Sequence, residues 1–155
     1  MKVEFINPFI ASTVNVLNTM AFITPQMGKP QIKNNEPAVE CDISAVIGIA
    51  DGASGWVAIG LSKSLALKLT ANMLGEPKTY IDTDVKDAVG EIVNMIAGGA
   101  KAELAQKGYR FKIAIPTVVV GDSHQLGQMK NASYILIPFT ADECDFHISV
   151  CIETE

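Results

Sequence analysis

The stretch Asp82-Thr83-Asp84-Val85-Lys86-Asp87-Ala88-Val89-Gly90-Glu91-Ile92-Val93-Asn94-Met95-Ile96-Ala97-Gly98-Gly99-Ala100 sets the architecture of this chain. Its first three residues carry side-chain oxygens for orphan backbone amides and negative charge for the positive end of a helix dipole, so a helix begins there. The helix continues to about Lys107-Gly108, where glycine ends it. At about 100° per residue, with Asp87 as origin, Val85, Val89, Ile92, Ile96 and Ala100 gather at roughly 140–220°. On the same wheel Glu91, Asn94 and Gly98 lie at roughly 40°, −20° and 20°. The helix is therefore amphipathic, and Asp87, Glu91, Asn94 and Gly98 share one stripe that points away from the core.

Working back from this helix, Ser62 or Ser64 caps a shorter one running to about Leu74, and Gly75-Glu76-Pro77 stops it. Its apolar side is Leu65, Leu69 and Met73. Before it, Ile43–Ala50 and Gly55–Leu61 read as two strands joined by Asp51-Gly52-Ala53-Ser54, a hairpin turn. Thr24 to Glu40, with Pro25, Gly28, Pro30 and Pro37, reads as an irregular connection or edge strand. At the beginning, Asn7-Pro8 places a capping residue before a proline, which predicts a helix from that point to about Phe22. Phe9, Thr13, Val16, Leu17 and Met20 fall on one face of it.

Beyond the long helix, Phe111–Gly121, interrupted by Pro116, then Ser133–Thr140 and Phe146–Glu153 read as β structure. Asp122–Asn131 reads as a polar, mobile linker. Helix followed by paired strands occurs twice, at Ala45–Leu61 and at Ser133–Ile152, a weak internal pseudo-repeat. The predicted class is α/β of the α+β type, in one domain spanning 1–155, since 155 residues bury one core without staples.

Composition narrows the function. The apolar fraction is 48%, yet no apolar run approaches the roughly 18–20 residues needed to cross a bilayer, so no membrane span is expected. Met1-Lys-Val-Glu-Phe-Ile lacks the features of a secretion signal, which points to the cytoplasm. Net charge is −5 and the 12 basic residues are scattered, so nucleic acid is not an expected partner. Cys41, Cys144 and Cys151 show no CxxC spacing and are expected as buried or half-buried free thiols. No His/Cys/carboxylate cluster suggests a metal site.

The stripe carries the candidate chemistry. Gly90, Gly98 and Gly99 each cost about 1 kcal/mol against alanine in a helix interior. They leave room either for an approaching partner or for a second closely packed helix. Asn94 has no useful basicity, so it can hold a water or a substrate but cannot take a proton. Glu91 can be a general base or a docking charge for a lysine. In phosphoryl transfer, where positioning dominates, a side-chain amide that orients the attacking water is a known device.

Asp87-xxx-Glu91-xx-Asn94, with Gly98 behind it and Pro116 some way on, resembles the signature of the CheC/CheX/FliY family of chemotaxis phosphatases. Asn7-Pro8-Phe9 and the segment Val46–Ser62 also resemble that family, so the likeness spans nearly the whole chain. Where other members carry a second ExxN in the first helix, Asn15-Val-Leu-Asn18 has no glutamate. The chain is thus similar to the single-site CheX branch. The resemblance implies an antiparallel-rich sheet with long helices on one face. It also implies dephosphorylation of the aspartyl phosphate of a CheY-like response regulator. In that role Asn94 aligns water, Glu91 pairs with the partner's lysine, Asp87 supports orientation or contacts the partner, and Gly98 lies on the partner-facing stripe. Mg²⁺ is expected in the response regulator, with no cofactor of this chain's own. A homodimer is expected through strand edges, with Tyr134–Phe139 the expected edge. The alternative is a non-catalytic response-regulator-binding or flagellar-switch-type module.

Other residues attract less. His124 sits on a predicted loop with no second histidine to help, His147 reads as the polar side of a strand, and Trp56 as core or rim. Asp51–Gly55 lacks the lysine and helix of a P-loop and is a turn.

Overall fold

Alternate positions of Cys41–Ala50 point Ile43, Ala45, Ile47 and Ile49 into one buried layer, and this strand anchors the sheet. The computed structural model describes residues 3–34, 39–124 and 133–154. In chain order these form α1 (Val3–Ala21), β1 (Gln26–Met27), β2 (Gln31–Asn34), β3 (Cys41–Ala50), β4 (Ala53–Leu61), α2 (Lys63–Leu74), α3 (Thr83–Gln106), β5 (Lys112–Ile113), β6 (Thr117–His124), β7 (Ser133–Ala141) and β8 (Cys144–Thr154). The eight strands make one antiparallel sheet in the order β1-β7-β8-β4-β3-β5, with β2 also on β7 and β6 also on β3. Helices against an antiparallel sheet are the α+β arrangement that the sequence predicts. Both strand pairs of the pseudo-repeat, β3–β4 and β7–β8, are present.

The β3–β4 hairpin turns through Asp51 (φ 57°) and Gly52 (φ 127°). Only glycine fits at 52, because a Cβ there would sit 1.9 Å from the Arg110 carbonyl oxygen. α3 lies on β3, β4 and β6, with α1 and α2 packed against it. Its inner face is the predicted one: Val85, Val89, Ile92, Ile96 and Ala100 are all fully buried. The Ser12 hydroxyl donates to the Ile96 carbonyl at 2.8 Å, and the Tyr109 hydroxyl donates to Glu4 at 2.6 Å, so α1 is tied to the middle of α3 and to the segment just after it.

Several boundaries differ from expectation. α1 starts at Val3 rather than at Asn7-Pro8, with Pro8 inside it. Phe5, Ile6 and Phe9 are buried, and this burial outweighs the backbone hydrogen bond that Pro8 cannot make. Met20, expected on the apolar face, is 41% exposed near the end of α1. β3 begins two residues before Ile43, and the turn between the hairpin strands shrinks to Asp51-Gly52. Asp122, Ser123 and His124 belong to β6 rather than to a linker; the rest of the predicted linker, 125–131, lies outside the described residues.

The expected dimer edge at Tyr134–Phe139 is not an edge. β7 pairs with β8 on one side and with β1 and β2 on the other, through Met27↔Phe139 and Ile32↔Ile135 among others. The two short strands from the proline-rich connection occupy its open side. No helix among the described residues is long and apolar enough to cross a membrane. Cys41 and Cys151 are buried and Cys144 half-buried, and none of the three is in a disulfide.

Candidate functional site

The start of α3 is fixed before any functional side chain is reached. Asp82 caps the helix, accepting from the Val85 amide at 3.0 Å. The Lys78 ammonium bridges Asp82 at 3.0 Å and Asp84 at 2.9 Å. The amide bond from Val85, followed by Lys78, holds the Asp82 carboxyl below the usual carboxylate range. An anchored first turn sets the rotation of everything downstream.

One and two turns on, Asp87 and Glu91 are exposed and Asn94 is half-buried. All three line an open groove of about 480 Å³ between α3 and the segment joining β5 to β6. Gly90 floors it; Lys86, Ala114, Ile115, Pro116 and Val118 complete it. Gly98, on the same stripe, is half-buried and lies outside the groove. Among the described residues, Asp87, Glu91 and Asn94 make no side-chain hydrogen bond or ion pair within the chain. A carboxylate and a carboxamide one helical turn apart are thus left to whatever enters.

The three glycines separate by role. A Cβ on Gly99 would fall 2.4 Å from Ser12 Oγ, so this glycine serves helix packing. A Cβ on Gly90 would meet the Val118 methyl at 3.3 Å, so Gly90 lets α3 lie close to β6. Gly98 has nothing within 4 Å of its would-be Cβ. No packing contact among the described residues explains a glycine there.

The groove's lining holds no serine, threonine, cysteine or histidine, and its ionisable side chains are Lys86, Asp87 and Glu91. It can accept a cation at Glu91 and hold a water or oxyanion at Asn94. No group of three or more His, Cys, Asp or Glu side chains among the described residues is placed to hold a metal.

Ile115 and Lys86 line the groove and were not singled out by the sequence. Lys86 was readable, being next to the stripe. Ile115 was not, because its position depends on a β-bulge. β3 takes three steps from Ile49 to Val46 while the strand opposite takes four, from Ile113 to Thr117. Pro116, noted in the sequence as an interruption, sits in that bulge, where its missing amide costs no ladder bond.

A larger cavity, about 580 Å³, lies elsewhere, around His147, Gly60 and Cys41. His147 is on the sheet face predicted, but it is buried rather than exposed. Its imidazole lies over Gly60, where a Cβ would come within 2.4 Å of the ring, and burial pushes its pKa down to about 4. His124 ends β6 opposite Cys41, so it stands on a strand and not a loop. Trp56 is half-buried against Tyr134.

Comparison with known proteins follows the same lines. The family model described as chemotaxis phosphatase CheX matches residues 43–140. The chain is 30% identical to the CheY-P phosphatase CheX of Thermotoga maritima, over 97% of each. The crystal structure of the chemotaxis protein CheX from Vibrio vulnificus superposes with a TM-score of 0.91 at 40% identity, covering 97% of this chain and 100% of that one. A chain from the CheX–CheY–BeF3–Mg²⁺ complex of Borrelia burgdorferi shares the fold, with a TM-score of 0.80 at 24% identity over 98% and 99% of the two chains.

Proposed function

This chain belongs to the chemotaxis phosphatase CheX family, and on that premise we propose that it hydrolyses the aspartyl phosphate of a CheY-like response regulator. The observation that carries this reading is the pair Glu91 and Asn94, one turn apart in an open groove and without side-chain partners among the described residues. Such a groove complements a partner that brings the phosphoryl group with it. The curated relative in Thermotoga maritima is named for this activity, and the Borrelia burgdorferi CheX was crystallised with CheY, BeF3 and Mg²⁺.

In this mechanism the Asn94 amide enters the partner's phosphorylation site and holds a water in line with the scissile bond. The water oxygen attacks phosphorus and the bond from phosphorus to the aspartyl oxygen breaks. Inorganic phosphate and a free carboxylate result. Because an amide takes no proton, Asn94 contributes alignment rather than base strength. Glu91 pairs with a lysine of the partner and fixes the register of docking. Asp87, on the groove rim, orients the approach, and Gly98 leaves the partner room beside the helix. Mg²⁺ belongs to the response regulator, and this chain supplies it no ligand.

The rest of the proposal concerns setting. The protein acts in the cytoplasm, in chemotaxis signalling, as one unit over residues 1–155, and as a homodimer. The strand edge suited to pairing is β6, which pairs only with β3 among the described strands and exposes Val119 and Val120. A monomeric mass by light scattering at micromolar concentration counts against the dimer.

The function is tested by phosphorylating a CheY-like regulator and following phosphate loss with and without this protein. Shortened phosphate lifetime at substoichiometric protein is expected. Stable binding with an unchanged lifetime contradicts hydrolysis and identifies a binding module instead.

A further inference from the structure

Ile115 is 89% exposed, the most exposed of the large apolar side chains among the described residues, and it stands in the wall of the groove that holds Glu91 and Asn94. Its neighbours explain how it stays there. Ala114 is tied by its amide to the Gly48 carbonyl at 2.9 Å, and Thr117 rejoins the sheet opposite Val46. Between them the strand carries one residue more than β3 can pair, and Pro116, within that bulge, restricts the backbone next to Ile115. A bulge re-aims the side chain at its crest. Here it turns an isoleucine out to solvent while Val118, two residues past Pro116, packs inward against Gly90 of α3.

Ile115 belongs to no core cluster among the described residues, and a polar residue at 115 would leave that core untouched. Its place in the groove wall with Lys86, Asp87, Glu91 and Asn94 sets an exposed apolar side chain among polar ones, a combination suited to gripping a protein partner. We infer that Ile115 is the apolar anchor by which this chain captures the phosphorylated response regulator, seating in an apolar depression next to the partner's phosphoaspartate. The inference rests on the reading that the groove takes a response regulator. It adds a division of labour: Ile115 supplies affinity, while Asn94 supplies rate.

The test uses the intact protein and a purified CheY-like regulator in two arms. In the first, the regulator is phosphorylated and its decay is measured against increasing concentrations of wild type, Ile115→Asp and Ile115→Leu. Ile115→Asp is expected to need at least about tenfold more protein for half-maximal rate while reaching the wild-type maximum, and Ile115→Leu to restore most of the affinity. Melting temperatures of all three are expected to agree, because residue 115 lies outside the core. In the second arm, binding to the regulator loaded with beryllium fluoride is titrated without any hydrolysis.

An unchanged half-saturating concentration for Ile115→Asp overturns the anchor and leaves the phosphatase reading standing. A wild type that binds but does not hydrolyse, with Ile115→Asp binding at least tenfold more weakly, supports the anchor and removes the phosphatase reading. A lower maximal rate with unchanged affinity overturns the anchor, as does conversion of a dimer to a monomer by Ile115→Asp, since the side chain then serves contact between copies.

Discussion

Two adjacent glycines in one helix are expected to respond to the same substitution with opposite sign. Alanine is the better helix former by about 1 kcal/mol at either position, so intrinsic propensity favours both Gly98→Ala and Gly99→Ala. At Gly98 the added methyl meets nothing within 4 Å, and the gain stands, reduced to roughly 0.5–1 kcal/mol by partial exposure. For a chain of this length that is a rise in melting temperature of about 1–4 °C. At Gly99 the methyl carbon would lie 2.4 Å from Ser12 Oγ and 3.3 Å from Ser12 Cβ. Either Ser12 rotates and loses its buried bond to Ile96, or α1 moves off α3. Either outcome costs about 1–3 kcal/mol and outweighs the propensity gain. Urea denaturation at neutral pH, with both variants and wild type side by side, reads the two shifts directly. A destabilised Gly98→Ala or a stabilised Gly99→Ala refutes this assignment of the glycines. On the proposed mechanism the stabilised Gly98→Ala protein is further expected to work less well on the phosphorylated regulator, because the added methyl would stand on the stripe proposed to face the partner.

Acid is expected to weaken the fold through His147. Burial holds its folded pKa near 4, below the ordinary 6.5, so between those values the unfolded chain binds the extra proton and stability falls as pH drops. The full effect, reached below pH 4, is up to about 3 kcal/mol; urea midpoints at pH 7.5 and 4.5 should separate less for His147→Gln than for wild type. Ser62→Ala removes the cap of α2, whose oxygen accepts from Leu65 at a rather long 3.3 Å, and should cost about 0.5–1 kcal/mol in the same assay with no change in partner dephosphorylation.

Much of this molecule is legible without coordinates, for identifiable reasons. α3 announces itself because Asp82 caps it and its apolar residues recur at helical spacing; both signals are local. The Asp51-Gly52 turn is local as well. What escapes the sequence depends on distant contacts. Pro8 looks like a helix start, and only the burial of Phe5 and Phe9 carries the helix back to Val3. Tyr134–Phe139 looks like an open edge, since strands of two and four residues, β1 and β2, have no pattern that announces their pairing with it. His147 looks solvated because nothing in its own strand reveals the notch that Gly60 opens on the next one. At the site, the stripe of Asp87, Glu91 and Asn94 was visible as a stripe. Ile115 was not, since one surplus residue in a strand shows only when its register against β3 is known.

On the proposed mechanism Asn94 aligns the attacking water while Glu91 docks the partner, and one titration separates the two roles. Phosphorylated regulator is mixed with saturating and subsaturating amounts of wild type, Asn94→Ala and Glu91→Ala, and phosphate release is followed. Asn94→Ala is expected to bind normally and to lose about a hundredfold or more of the rate at saturation. Glu91→Ala is expected mainly to raise the concentration needed for half-maximal rate. An Asn94→Ala protein that matches wild type at saturation contradicts the assignment of Asn94 as the group that positions water.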